Sequence, residues 1–173
     1  MPRIPYIEPE NEPEELSAVF DQLRQTRGQV PGMYRLLAHQ PAVLAAHRAY
    51  FHAALDEGVL PRAFKEKIAF KTARLCCSAY SSASHRRYAL KHGVRETELD
   101  AIDRSDFSSL EPREKAALEF AQSMVEFNGM VPDDLCKQLR VYFSDAEFVE
   151  IVALIGIMQL ASTFAAVFDL QPD

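Results

Sequence analysis

Residues 76–88 read CCSAYSSASHRRY: two adjacent cysteines, a tyrosine among small hydroxyls, then a histidine and two arginines. On a helix spanning 76–92, Ser78, Ser81 and His85 fall at i, i+3 and i+7 and share one stripe. Ser81 and His85, four apart, are within reach of a hydroxyl–imidazole hydrogen bond. The serines also have a plain role, since Ser78, Ser81, Ser82 and Ser84 are small residues that start helices and allow close packing. Upstream, in FKEKIAF (64–70), Glu66 lies 12 residues before Ser78. In one straight helix that separation is a rise of about 18 Å, too far for contact. The two meet only if the chain breaks around CCSA (76–79), folding helix 61–76 against helix 79–92. Such a break would gather a carboxylate, hydroxyls and an imidazole into a set capable of proton relay. Without it, Glu66 is a solvated helix-face charge and His85 a structural histidine.

Working outward, the chain reads as helical from Gly32 onward. Residues 1–13 carry four prolines and form an extended arm, and a helix is expected from about Pro13 to Thr26. The glycines and proline of RGQVPG (27–32) mark a loop. Val43, His47, Tyr50, Phe51, Ala54 and Leu55 follow one helical face, and Ile68, Ala69, Thr72, Ala73 and Leu75 another. Pro61 suits a first helical turn, as does Pro112 for a helix over 111–127. Gly93 after LKH reads as a C-terminal cap. A short helix VRETELDAI (94–102) follows, and a further one spans 132–142. Ser144 with Glu147 forms a capping box for a final helix that runs to about Phe168. No strand pattern or tight-hairpin dipeptide interrupts this reading, so the fold class is all-α. FKEKIAF and FVEIVALIG (148–156) both set a glutamate before an apolar helical stretch, a weak internal echo.

Composition narrows the function. The chain has 173 residues, 48% of them hydrophobic and 25% charged, with a net charge of −6, which suits one soluble globular unit. The acidic balance and the absence of long basic runs argue against nucleic acid as a partner. Three cysteines, two of them adjacent, do not make a disulfide framework. The opening MPRIPYIEPENEPEEL has no apolar signal-peptide core, so a cytoplasmic protein with reduced thiols is expected. Residues 151–168 are nearly long enough to span a membrane. Gln159, Ser162 and Thr163 interrupt them, no basic flank anchors either end, and a core or interface helix is expected instead. His39, His47 and His52 lack the spacing of a ligand set, so no metal is assigned.

The residues around Glu66 and His85 resemble the alkylhydroperoxidase D and carboxymuconolactone decarboxylase superfamily. In that family a glutamate precedes a Cys-x-x-Cys-x-x-x-His motif by about a dozen residues. Glu66 takes the glutamate place, Ser78 and Ser81 the two cysteine places, and His85 the histidine place. Tyr80 falls just before the second cysteine place, where the family often has Tyr or His. GQVPGMYRLLAHQPAVL (28–44) is similar to the family's first loop and helices. GVLPRAFKEKIAF (58–70) resembles its lead-in to the glutamate, KHGVRETELDAI (91–102) the segment after the histidine, and LEPREKAALEFAQSM (110–124) the next helix. The resemblance covers about 28–170. It divides the chain into an arm and first helix over 1–27 and one helical domain over 28–173. It implies an alkylhydroperoxidase D-like helical bundle and a homo-oligomer built through its helices.

The departure from the motif bears directly on function. Family peroxidases need a thiolate to attack peroxide and a second thiol to close a disulfide, and a serine hydroxyl does neither. Cys77 is one residue from the first motif place, but one helical step turns a side chain by about 100°. The branch named for decarboxylation lacks the redox cysteines and handles small carboxylated lactones. The resemblance therefore implies a cofactor-free, non-redox acid/base enzyme acting on a small organic acid or lactone. Its catalytic set is Glu66 and His85, with Ser78 and Ser81 orienting substrate or a relay water. Tyr80 is placed at the substrate, and Arg74, Arg86 or Arg87 would hold its carboxylate. The alternatives are a thiol peroxidase using Cys76 or Cys77 and a non-catalytic family member. A Ser81–His85–Glu66 hydrolase triad lacks a Gly-x-Ser-x-Gly elbow to support its serine.

Overall fold

A computed structural model describes residues 2–56 and 58–172. Among them every regular element is helical. The proline-rich arm lies along the far end of the last helix, with Arg3 N–H donating to the Phe168 carbonyl at 2.9 Å and Ile7 N–H to that of Arg35 at 3.1 Å. Two short 3₁₀ turns, Pro9–Asn11 and Glu14–Leu16, precede α1 (Ser17–Arg27). The first α-helix thus starts four residues later than the expected Pro13, since the chain first takes the tighter 3₁₀ turn common at helix starts.

After α2 (Gly32–Leu37) and α3 (Pro41–Phe51), a π turn over His52–Asp56 carries the chain towards α4 (Arg62–Leu75). The buried stripe of α3 is Leu44, His47 and Phe51. Val43 and Tyr50, expected on this face, are exposed, because Leu44 rather than Val43 keeps the i, i+3, i+7 register. Then come α5 (Ala79–Lys91), α6 (Glu96–Asp103), α7 (Pro112–Glu126), α8 (Asp133–Tyr142) and α9 (Asp145–Phe168). The capping box expected at Ser144 is present, Ser144 Oγ accepting from Glu147 N–H and Glu147 reaching back to Ser144 N–H.

The central helix is α4, packed by α5, α7 and α9. Residues 64–73 are all buried, although three lysines and a glutamate lie among them. Burial of such charges is tolerated only with partners. Lys65 reaches Glu150 of α9 at 2.7 Å, and Lys67 bridges Glu98 and Glu114 at 2.8 and 2.7 Å. Lys71 donates to Ser105 Oγ at 2.6 Å and lies over the Phe107 ring. Glu150 also accepts from Val59 and Leu60 N–H, so it ties the loop before α4 to the last helix. Gly58 makes that approach possible, since a Cβ there would sit 2.3 Å from Glu150 Oε1 and its φ of +101° is left-handed.

A large apolar cluster surrounds α4, α7 and the first half of α9, drawing on Ile68, Leu99, Leu118, Ile151 and Leu154. A second joins the arm, α1 and α2 to the end of α9 through Phe20, Leu23, Met33, Leu37 and Ala165. By length and composition α9 is apolar enough to cross a membrane. In this fold its Ile151, Leu154, Ile155 and Met158 are core residues, whereas Val149, Leu160 and Val167 face outward.

Candidate active site

The break expected at CCSA is a helix stop of defined geometry. Cys77 takes a left-handed φ of +54°, Ser78 N–H returns to the Ala73 carbonyl, and Cys77 N–H returns to that of Arg74. This is the Schellman arrangement, with a cysteine where glycine is usual. Ser78 then caps α5, its Oγ accepting from Ser81 N–H at 3.2 Å. The chain reverses within three residues, and α5 lies back along α4.

That reversal brings His85 onto Glu66. His85 Nδ1 donates to Glu66 Oε2 at 2.7 Å across 19 residues of sequence. Glu66 is 0% exposed and His85 5%, so the carboxylate is part of the core and not a solvated helix-face charge. Its other oxygen, Oε1, accepts from Arg62 Nε at 2.7 Å, one helical turn upstream. Arg62 also pairs with Asp56, and Asp56 with His52 at 3.0 Å. Burial by itself would raise the Glu66 carboxyl. The adjacent His85 ring and Arg62 guanidinium more than offset it and hold the group below its ordinary value. Glu66 is therefore a fixed anion, gripped at both oxygens.

Behind His85 lies an aromatic file. The Phe51 ring is 6.3 Å from that of His85, His47 stacks on Phe51 at 6.1 Å, and Tyr34 meets His47 edge-on at 6.1 Å. His47 is 6% exposed, and both ring nitrogens are buried without a hydrogen-bond partner. Burial pushes its pKa down, which keeps the ring neutral. A cavity of about 670 Å³ opens on the other side of Phe51 and Arg62, which contribute to its wall.

The remaining candidates lie at different distances from this centre. Ser78 and Ser81 are buried at the start of α5, on the stripe that leads to His85. Tyr80 is buried, and its hydroxyl accepts from Met33 N–H at 3.1 Å, tying α5 to α2. Arg74 pairs with Asp103, and Arg86 with Glu96 and Asp100, so both link their helices to α6. Arg87 is exposed beside a small hollow shared with Tyr80 and Ser84. Cys76, Cys77 and Cys136 are free thiols, Cys77 exposed. Burial pushes the Cys76 thiol up, away from the reactive thiolate. Among the described residues no group of three or more His, Cys, Asp or Glu side chains could hold a metal ion. Sequence reasoning missed Arg62, although its i, i+4 spacing to Glu66 on one helix is a legible signal. It missed Phe51 as a site wall, which depends on how α3 meets α5.

Known proteins share part of this sequence pattern and the fold. Residues 41–123 match the carboxymuconolactone decarboxylase family. The matched segment contains Glu66, Ser78, Ser81 and His85. The fold is that of alkylhydroperoxidase D-like proteins. An uncharacterized peroxidase-related protein from Ralstonia eutropha JMP134, described as an alkylhydroperoxidase AhpD core, superposes with a TM-score of 0.90 at 22% identity over 99% of this chain and 92% of that one. A peroxidase-related protein from Silicibacter sp. TM1040 gives 0.88 at 20% identity, covering 99% and 90%. The debrominase Bmp8, in complex with 2,3,4-tribromopyrrole, gives 0.84 at 21% identity, covering 99% and 91%. At these identities the likeness to solved structures speaks for fold alone. No curated protein sequence matches the chain.

Proposed function

We propose that this protein belongs to the carboxymuconolactone decarboxylase family and is a non-redox acid/base enzyme that moves a proton on a small organic acid or lactone. The observation that carries this reading is the buried 2.7 Å contact between His85 Nδ1 and Glu66. With Nδ1–H committed to the carboxylate, His85 Nε2 is the nitrogen left to take and return a proton. Glu66 is the positioning residue: it fixes the tautomer and ring plane, and it offsets the charge that forms when Nε2 is protonated. Arg62 keeps Glu66 ionised during that step. Ser78 and Ser81 occupy the family's cysteine places and supply hydroxyls for substrate or a relay water.

The chemistry is redox-neutral. In an isomerisation, Nε2 accepts a proton from the carbon next to a carbonyl and returns it to another carbon. In a decarboxylation, the electrons of the breaking C–C bond stay on the remaining carbon, and the proton that quenches them comes from Nε2 and is replaced from solvent. The competing thiol peroxidase would need a thiolate at Cys76 or Cys77. Burial disfavours the thiolate at Cys76, and neither cysteine occupies a family motif place.

The test is a turnover screen with carboxylated lactones and keto-acids, comparing wild type, Glu66→Gln and a variant with all three cysteines changed to serine. The expected result is activity in wild type and the thiol-free protein, and a loss of about 100-fold or more in Glu66→Gln. Hydroperoxide consumption that disappears with the cysteines, in the absence of lactone turnover, would overturn the reading.

A further inference from the structure

The cavity beside Phe51 and Arg62 has chemistry of its own. It lies between α1, α3 and the end of α5, and its volume of about 670 Å³ exceeds what a bare carboxylate needs. Its lining is polarised along the helices. Leu16, just before α1, and Val19 and Leu23 of α1 line one end with Leu44 and Ala45 of α3. Arg27, Arg62 and Lys91 gather at the other, with Arg48 between. Leu16 and Arg27 are 11 residues apart, a helical rise of about 16 Å. The Arg48–Gln22 hydrogen bond at 2.6 Å fixes how α3 lies along α1 in the middle of the cavity.

The cations outnumber the acids. Among the described residues, Arg27, Arg48, Arg62 and Lys91 line the cavity, and the one carboxylate in its wall, Asp56, is engaged by His52 and Arg62. Arg27 and Arg48 form no ion pair among the described residues. Arg27 lies over three aromatic rings, those of Tyr34, Phe51 and Tyr88, at 5.8, 5.8 and 5.3 Å to the centroids. Ring faces hold a guanidinium in place and leave its in-plane N–H groups available to an acceptor. The concentration of positive charge is local, for the whole chain carries −6.

We infer that this cavity binds an elongated amphipathic monoanion, an aliphatic carboxylate with its acid group on Arg27 and Arg48 and its chain along Leu16, Val19, Leu23 and Leu44. Two fixed guanidiniums suit one carboxylate, and the apolar end gives its chain somewhere to leave water. Glu66 and His85 do not line the cavity, so the inference stands apart from the proton-transfer reading.

Titration calorimetry with octanoate, butyrate, octanol and benzoate tests it, on wild type, Arg27→Gln, Arg27→Lys, Arg48→Gln and Glu66→Gln. Octanoate is expected to bind saturably at one site, with butyrate, octanol and benzoate each about tenfold weaker or more. Arg48→Gln and Arg27→Gln should each weaken octanoate by a similar factor, and Arg27→Lys should recover part of it. Circular dichroism on each variant separates lost binding from lost fold, and Arg27→Lys keeps the charge at the site for comparison with Arg27→Gln. Glu66→Gln, which leaves the cavity-lining Arg62 less compensated, should bind octanoate no more weakly than wild type does, so failure of turnover and failure of binding are read separately. Absence of saturable octanoate binding would overturn the inference. So would octanol binding as tightly as octanoate, benzoate binding more tightly than octanoate, or indifference to both arginine substitutions.

Discussion

At the scale of single residues, the site is organised by what holds Glu66. A fully buried carboxylate survives because His85 and Arg62 take one oxygen each, and its folded-state value lies below the ordinary 4.5. Since the folded state holds this proton less tightly than the unfolded state, the pair adds stability that is complete above 4.5. That stability is lost as pH falls through the folded-state value. His47 acts in a higher window. Its folded value is lowered from 6.5 by burial, so below 6.5 the unfolded chain binds more protons and stability drops as the solution is acidified. Urea titrations between pH 8 and 3 should show both steps in wild type. His47→Phe should remove the one that begins near 6.5, and Glu66→Gln the lower one. A His47→Phe protein with an unchanged upper step would show that another group is responsible.

At the scale of elements, the α4–α5 joint decides whether a site exists at all, and it was partly legible in the sequence. A meeting of Glu66 with Ser78 and His85 required a break at CCSA, and one is there. Its mechanism was hidden, because a non-glycine residue at the left-handed position gives no sequence signal. Cys77→Gly should relieve that strain and stabilise the fold by about 1 kcal/mol. In a domain of this size that is a rise of roughly 2–4 °C in Tm, and a fall in Tm would mean that the thiol itself matters. The same joint puts Ser78 at the N-cap and Ser81 in the first turn, where a helix end favours thiolates. Ser78→Cys/Ser81→Cys in the thiol-free background should therefore give a low-pKa dithiol that closes to a disulfide on mild oxidation, read by thiol titration with and without reductant. Two thiols that stay unpaired would show that the pocket no longer accommodates the family's redox geometry.

At the scale of the whole molecule, the all-α class, the final capping box and the Glu66–His85 meeting were readable from spacing and from the family resemblance. The burial of α4 on every side was not. Its lysines look like a solvated face until α6, α7 and α9 supply the partners, and those contacts are long-range. Glu150 is the clearest case: half of a weak sequence echo, it is the buried acceptor for Lys65 and for the loop before α4. Glu150→Ala should destabilise the fold by about 3–5 kcal/mol by removing a buried partner of Lys65 together with the acceptor of the Val59 and Leu60 N–H groups, measured by urea unfolding. A cost below about 1 kcal/mol would place Lys65 in water in solution. Arg74 and Arg86 show the other limit, since residue type suggested substrate anchors and the fold pairs both with acids at α6.

The central claim is that His85, held by Glu66, moves protons without help from sulfur. Solvent deuterium incorporation into carboxylated lactones and keto-acids in D₂O, followed by NMR, tests it most directly. The set is wild type, His85→Gln and the triple variant Cys76→Ser/Cys77→Ser/Cys136→Ser. The account predicts equal incorporation by wild type and the thiol-free protein, and none above background by His85→Gln. Incorporation that survives in His85→Gln, or that vanishes with the cysteines, would contradict it.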